Sequence, residues 1–247
     1  LMDNYNAICW TVEAGLYTVP QLVIGMPGEC PETIKETAEF LSYAMTLDKS
    51  QNPKDVSINF AQVLPGTPLY EYGRSVGLIG LTIEEEEQYL LLVSNMDAAD
   101  GARTINFTDY PRLVLLSYPR FIKSIINYRY VRKYGAGHFY KMIFYEYKRP
   151  FLFHILKNNS ISDIFYYCPT LVYKLRHLLW IVKFMEIIKV NGLAFALSLF
   201  REYLRFIKHK LRGEKVFFEY RSLRKTVEQN SNAYTGINEM MMLRKGR

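Results

Sequence analysis

Two corners in the first third of the chain have residue types suited to holding a polar ligand against backbone. The first is Gly25-Met26-Pro27-Gly28-Glu29, directly after the aliphatic pair Val23-Ile24. The second is Pro65-Gly66, directly after Gln62-Val63-Leu64. Glycine reaches positive φ and lets another group approach the backbone closely. Gly25, Gly28 and Gly66 could therefore turn amide N–H groups towards a polar ligand edge. The same glycines also suit any sharp strand-to-helix turn. Glu29, one turn ahead of a helix, suits the positive helix amino terminus whether or not it meets a ligand.

Other chemistries find less support. Cys9, Cys30 and Cys168 are far apart and odd in number, so they spell neither a disulfide framework nor a zinc spacing, and a reducing cytoplasm is expected. Residues 1–30 carry no charged-then-apolar leader pattern. His138, His154, His177 and His209 occur singly, without a His-x3-His pair, and read as surface or boundary residues. Glu84 to Glu87 point in different directions around a helix and read as a solvated first turn, not a metal site.

The elements that must position the two corners are β-loop-α units. Leu16 to Ile24 is β-rich and follows a short helix that stops at Gly15. Pro31 then opens a helix with Ile34, Ala38, Leu41 and Met45 on one face, and Glu32 and Glu36 near its amino terminus. The pattern repeats: Val56 to Leu64 is β-rich, and Thr67-Pro68 caps and starts a helix that stops at Gly77. Consecutive β-loop-α units predict parallel strands, with ligands beyond the strands' carboxyl ends, where both Pro-Gly corners fall. A further helix is predicted from a Thr82 cap into the stretch 82–104.

Residues 22–37, LVIGMPGECPETIKET, resemble the fifth-strand segment of radical S-adenosylmethionine enzymes. Residues 61–70, AQVLPGTPLY, followed by Gly77-Leu78-Ile79, resemble the sixth-strand segment, particularly of the subgroup with an amino-terminal cobalamin-binding domain. The resemblance implies an α/β remnant, the last strands of a partial (β/α)6 TIM-like barrel over roughly residues 5–80, followed by a mainly α-helical carboxyl-terminal region. It implies that S-adenosylmethionine would lie against Val23, Ile24, Gly25, Pro27, Gly28 and Glu29 on one corner and Gln62, Val63, Leu64, Pro65 and Gly66 on the other. Gln21 stands where the family pattern carries glycine, and Glu29 comes one residue late. The family holds its [4Fe-4S] cluster on a Cys-x3-Cys-x2-Cys triplet, and no such triplet occurs here. The chain is accordingly expected to be the carboxyl-terminal part of an enzyme that methylates, cyclises or rearranges an unactivated carbon, inactive by itself. Cluster and cobalamin would belong to the missing amino-terminal part.

Charge divides the chain. Through residue 104 there are 5 Lys+Arg against 15 Asp+Glu; from 105 onward there are 26 against 9. The loop at 106–111 is the expected boundary, giving a region 1–104 with the barrel strands and trailing helix, a basic aromatic helical region 105–225 and a loose tail 226–247. Helices are predicted at 118–134, 138–157, 162–189 and 192–212, and the longest apolar stretch, 178–200, carries too many charges to span a bilayer. Trp180, Phe184, Phe195, Phe200, Tyr203 and Phe206 at helical spacing fit either a bundle core or, with Arg201, Arg205, Lys208, Lys210 and Arg212, an interfacial face on an anionic membrane. The latter makes a membrane-interface or scaffold module the alternative function. Nucleic acid is disfavoured as a partner, since no recognised binding pattern surrounds the Tyr- and Arg-rich run 128–134.

Overall fold

The computed structural model describes residues 2–94, 101, 104–144 and 168–214. Helix α1 spans Met2–Glu13 and stops ahead of Gly15, whose φ of 73° lets the chain leave the helix. Strand β1, Gln21–Ile24, is shorter than the β-rich run that contains it, because only this stretch lies beside a partner strand. Helix α2, Pro31–Met45, begins at the predicted proline and buries Ile34, Ala38, Leu41 and Met45 as their spacing requires. Strand β2 is Ser57–Phe60, and helix α3, Pro68–Ser75, is capped by Thr67, whose hydroxyl accepts from the Tyr70 amide. Helix α4 is Ile83–Ser94, started by reciprocal bonds between Thr82 and Glu85. The rest of the helix expected at 82–104 lies largely outside the described residues.

The two strands pair in parallel, with Gln21 opposite Ser57 and Ile24 opposite Phe60. Side chains alternate across a strand, so Leu22, Ile24, Ile58 and Phe60 face α2 and the core. Gln21, Val23, Ser57 and Asn59 take the other face, where Val23 is 53% exposed.

Helix α5, Arg112–Tyr134, starts before the expected residue 118 and carries Pro119 inside it. An interior proline removes a hydrogen bond and costs about 3 kcal/mol. Burial of Leu113, Leu116, Ile122, Ile125 and Ile126 against β1, β2 and α2 offsets it. Helix α6, Ala136–Phe144, follows after Gly135; residues 145–157 and 162–167 of the expected helices, His154 and the tail 226–247 lie outside the described residues. A short helix α7, Pro169–Lys174, and a 3-10 turn lead into α8, Leu179–Asn191, and α9, Leu193–Leu211. Gly192 at φ 87° separates these last two, which pack on each other and on α5.

One hydrophobic cluster joins Ile24, Ile34, Met45 and Phe60 to Ile122, Ile126, Ile187 and Leu199. The division drawn at 104/105 therefore runs through a shared core. In the loop at 106–111, Asn106, Phe107, Thr108 and Pro111 are buried and Asp109 and Tyr110 half-buried, and Asn106 Nδ2 donates to Tyr110 O at 2.7 Å.

Candidate functional site

Both corners sit at the carboxyl end of the same parallel strand pair. The ladder carries on one step past the strands, where Ala61 N donates to Ile24 O at 2.8 Å and holds the two exits side by side. The first corner folds on Gly25 at φ 93° and Gly28 at φ 81°, with Glu29 N donating to Met26 O at 3.2 Å. A side chain at Gly25 would still have room, since its Cβ would lie 3.7 Å from the Leu115 methyls. The positive φ, not crowding, is what calls for glycine there.

Glu29 closes this corner upon itself. Its Oε2 accepts the Gly25 amide at 2.7 Å, so the N–H expected to reach a ligand is already bonded within the chain. Burial pushes the Glu29 carboxyl above its ordinary value, although the Gly25 and Met26 amides pull the other way. Near it stands a residue the sequence reading missed. Tyr118, from α5, has a buried hydroxyl with no hydrogen-bond partner, and burial, with Tyr110, Glu29 and Cys30 nearby, raises its pKa strongly. Only the path of α5 brings Tyr118 to this corner, 89 residues further along the chain, and no local pattern signals it.

The second corner is open. Leu64, Pro65 and Gly66 are exposed, Leu64 by 52%, and Gly66 has φ 80°. Thr67 fixes the turn, its hydroxyl donating to Leu64 O at 2.7 Å. Val63 is buried in a separate cluster with Tyr70, Ile79 and Phe107, and its carbonyl accepts from the Tyr89 hydroxyl at 2.6 Å. Gln62 is half-buried between these groups.

The eleven residues expected to line an adenosyl site thus divide. Val23, Gly28, Leu64, Pro65 and Gly66 present surface, Pro27, Glu29 and Gln62 are half-buried, Gly25 is buried, and the Ile24 and Val63 side chains belong to cores. Val23, on the outward face of β1, and Leu64, four residues past the end of β2, are both exposed aliphatic side chains, each two residues ahead of a glycine.

A separate cleft of about 590 Å³ lies at the opposite, amino-terminal end of the strand pair, lined by Tyr17, Asp48, Asn52, Asp55, His138 and Lys141 among others. Its polar groups largely bond one another: the Tyr17 hydroxyl donates to Asp55, the Asn52 amide to the Tyr17 hydroxyl at 3.1 Å, and His138 Nε2 lies 3.0 Å from Lys49 O. Among the described residues no group of three or more His, Cys, Asp or Glu side chains could hold a metal ion. Cys9, Cys30 and Cys168 are free thiols. His209, read as solitary, bonds Glu214.

The aromatic set weighed for a membrane face packs inward. Trp180 stacks on Tyr203 at 4.9 Å and Phe184 meets Phe200 at 5.5 Å, while Phe206 lies 5.5 Å from Tyr110. Trp180, Phe184, Phe195, Phe200 and Tyr203 all rest on the main core. Among the described residues no helix is long and apolar enough to cross a membrane.

No family model, curated protein or solved structure matches the chain.

Proposed function

We propose that the chain is the carboxyl-terminal part of a cobalamin-dependent radical S-adenosylmethionine enzyme, contributing the last barrel strands and one wall of the adenosyl pocket. The observation that carries the reading is the pairing of the two resembling segments: adjacent, parallel, in register, and with both Pro-Gly corners at one end. A second observation agrees with it. The strand pair has a packed face and an open face, and the open one bears the half-exposed Val23. A strand pair of this kind gains stability from further strands and a covering layer, which the amino-terminal part of such an enzyme would supply.

The residues present fit the cofactors unequally. Val23 and Leu64 offer apolar surface on which an adenine ring could rest, and Gly28 and Gly66 leave room for its approach. The thiols do not fit a [4Fe-4S] cluster, which needs three cysteines in a Cys-x3-Cys-x2-Cys spacing. Cleavage of the sulfonium takes an electron from that cluster, so no redox step is assigned to this chain. Its own part is to seat the adenosyl group and exclude water from one side. Three free thiols suit a cytoplasmic place, and peripheral attachment to an anionic membrane belongs to the same proposal.

The reading is tested in the DNA that precedes the codon for Leu1. A reading frame that continues into a three-cysteine loop is the expected result. An in-frame stop followed by a ribosome-binding site just ahead of residue 1 would contradict it.

A further inference from the structure

Helix α9 has two unlike faces. Ala196 and Leu199 are buried, and Phe195, Phe200 and Tyr203 rest on the core, so the inward side holds the aromatic residues. Outward, steps of three and four residues place Leu193, Leu197, Arg201, Leu204, Lys208 and Leu211 in one line. All six are exposed, the four leucines by 57%, 37%, 50% and 83%. Arg205 and Arg212 are exposed beside that line.

A solvated outer face has no use for four leucines, and ordinarily mixes acidic with basic residues. Here the acids are engaged elsewhere. Glu202 accepts the Arg112 backbone amide at 2.8 Å, and Glu214 bonds His209. On the neighbouring segment Glu186 pairs with Arg120 at 2.5 Å and with Lys183 at 3.2 Å. Apart from Ala194 and Ser198, what remains outward on α9 is leucine and positive charge. Helix α8, packed beside it, also exposes apolar side chains, Ile181, Met185 and Val190.

We propose that the outer face of α9 lies flat on an anionic lipid bilayer, its leucines entering the boundary between headgroups and acyl chains and its bases reaching lipid phosphates. Long basic side chains can run along apolar surface while their charged ends stay at the headgroups, which allows Arg201 and Lys208 to share a line with leucine. The charge complementarity is one-sided, since each acid of the segment 168–214 has a partner within the chain. A helix of 19 residues lying in the plane needs no spanning length. Single-stranded nucleic acid would call for exposed aromatic side chains to stack its bases, and the aromatics of this helix face the core. The inference deepens the peripheral-attachment part of the reading above, and since it needs neither cluster nor cofactor its flotation test can fail without touching the enzyme lineage.

The test is flotation of the full chain with two kinds of vesicle, phosphatidylcholine alone and phosphatidylcholine with phosphatidylserine, at low and high salt. Expected is retention on the anionic vesicles alone, lost as salt rises. The double variant Arg205→Gln, Lys208→Gln should weaken that retention about thirtyfold, and Leu211→Ser about tenfold. These side chains are exposed and leave the core untouched, and an unchanged far-ultraviolet circular dichroism spectrum will verify the fold. The proposal is overturned by no retention on either vesicle, by equal retention on both, or by retention that the variants do not alter. It is also overturned if a single-stranded oligonucleotide binds with that same dependence on Arg205 and Lys208 while vesicles do not.

Discussion

The α/β part and the helical part of the molecule spend their apolar residues differently. In the first, one face of a two-stranded sheet is sealed by α2 and α5 while the opposite face leaves Val23 half-exposed beside polar Gln21 and Ser57. In the second, the aromatic residues are inside and leucines stand outside among arginines and lysines. The open sheet face offers Val23 among uncharged polar side chains, and the outer strand edges offer backbone for pairing, as suits more protein of the same kind. The open helix face offers leucine with surplus positive charge, as suits an anionic surface. Two exposed surfaces in one chain thus ask for different partners.

The comparison breaks if the two parts are separable bodies. Ile122 on α5 is fully buried in the cluster that contains both, so Ile122→Ala should cost about 3 kcal/mol. Urea unfolding followed by circular dichroism and by tryptophan fluorescence should shift together as one transition; two transitions, with only the later region destabilised, would show that the shared core does not couple them. A smaller effect is expected at the first corner. Gly25→Ala places a Cβ where there is room but at φ 93°, which should cost about 1–2 kcal/mol, whereas Gly137→Ala, in helix α6 with open space around it, should be neutral or slightly stabilising.

The smallest expected effects concern two carboxylates of opposite behaviour. Burial raises the Glu29 pKa above the ordinary 4.5. Its contribution to stability is full below that value and is lost as pH rises through the raised one. For Glu186, burial works upward, but Lys183 and Arg120 hold the carboxyl below 4.5. Its contribution is present above the ordinary value and is lost as pH falls through the lowered one. Measured between roughly pH 3 and pH 7, Glu29→Gln should gain stability relative to the native chain as pH rises, and Glu186→Gln should lose it. Parallel slopes would remove the electrostatic distinction between the two regions.

Local signals carried most of the element starts. Pro31, Thr67-Pro68 and the Thr82 cap each begin a helix where their chemistry says one should begin, and Gly15 and Gly77 end helices with positive φ. The spacing of Ile34, Ala38, Leu41 and Met45 fixed which face of α2 would be buried. Less legible were features decided at long range. The strands are four residues each because pairing, not β-propensity, sets their limits. Pro119 disguised the first turns of α5, whose packing against α2 outweighs the local penalty. At the corners, residue types revealed both turns and their common end. The capture of the Gly25 amide by Glu29 and the arrival of Tyr118 depend on three-dimensional placement. The aromatic positions in α8 and α9 were periodic, yet periodicity alone does not tell which side of a helix meets the core.

The radical-enzyme proposal places Val23 and Leu64 on one adenosyl pocket. It is tested most directly by 5′-deoxyadenosine release from S-adenosylmethionine, measured anaerobically under reduction with the longer protein that would contain this chain and a three-cysteine loop. Expected are steady release by that protein, a loss of more than about tenfold with Val23→Asp or Leu64→Asp, and none from the present chain alone after treatment with iron and sulfide. Unchanged release from both aspartate variants, or release by the present chain alone, would contradict it.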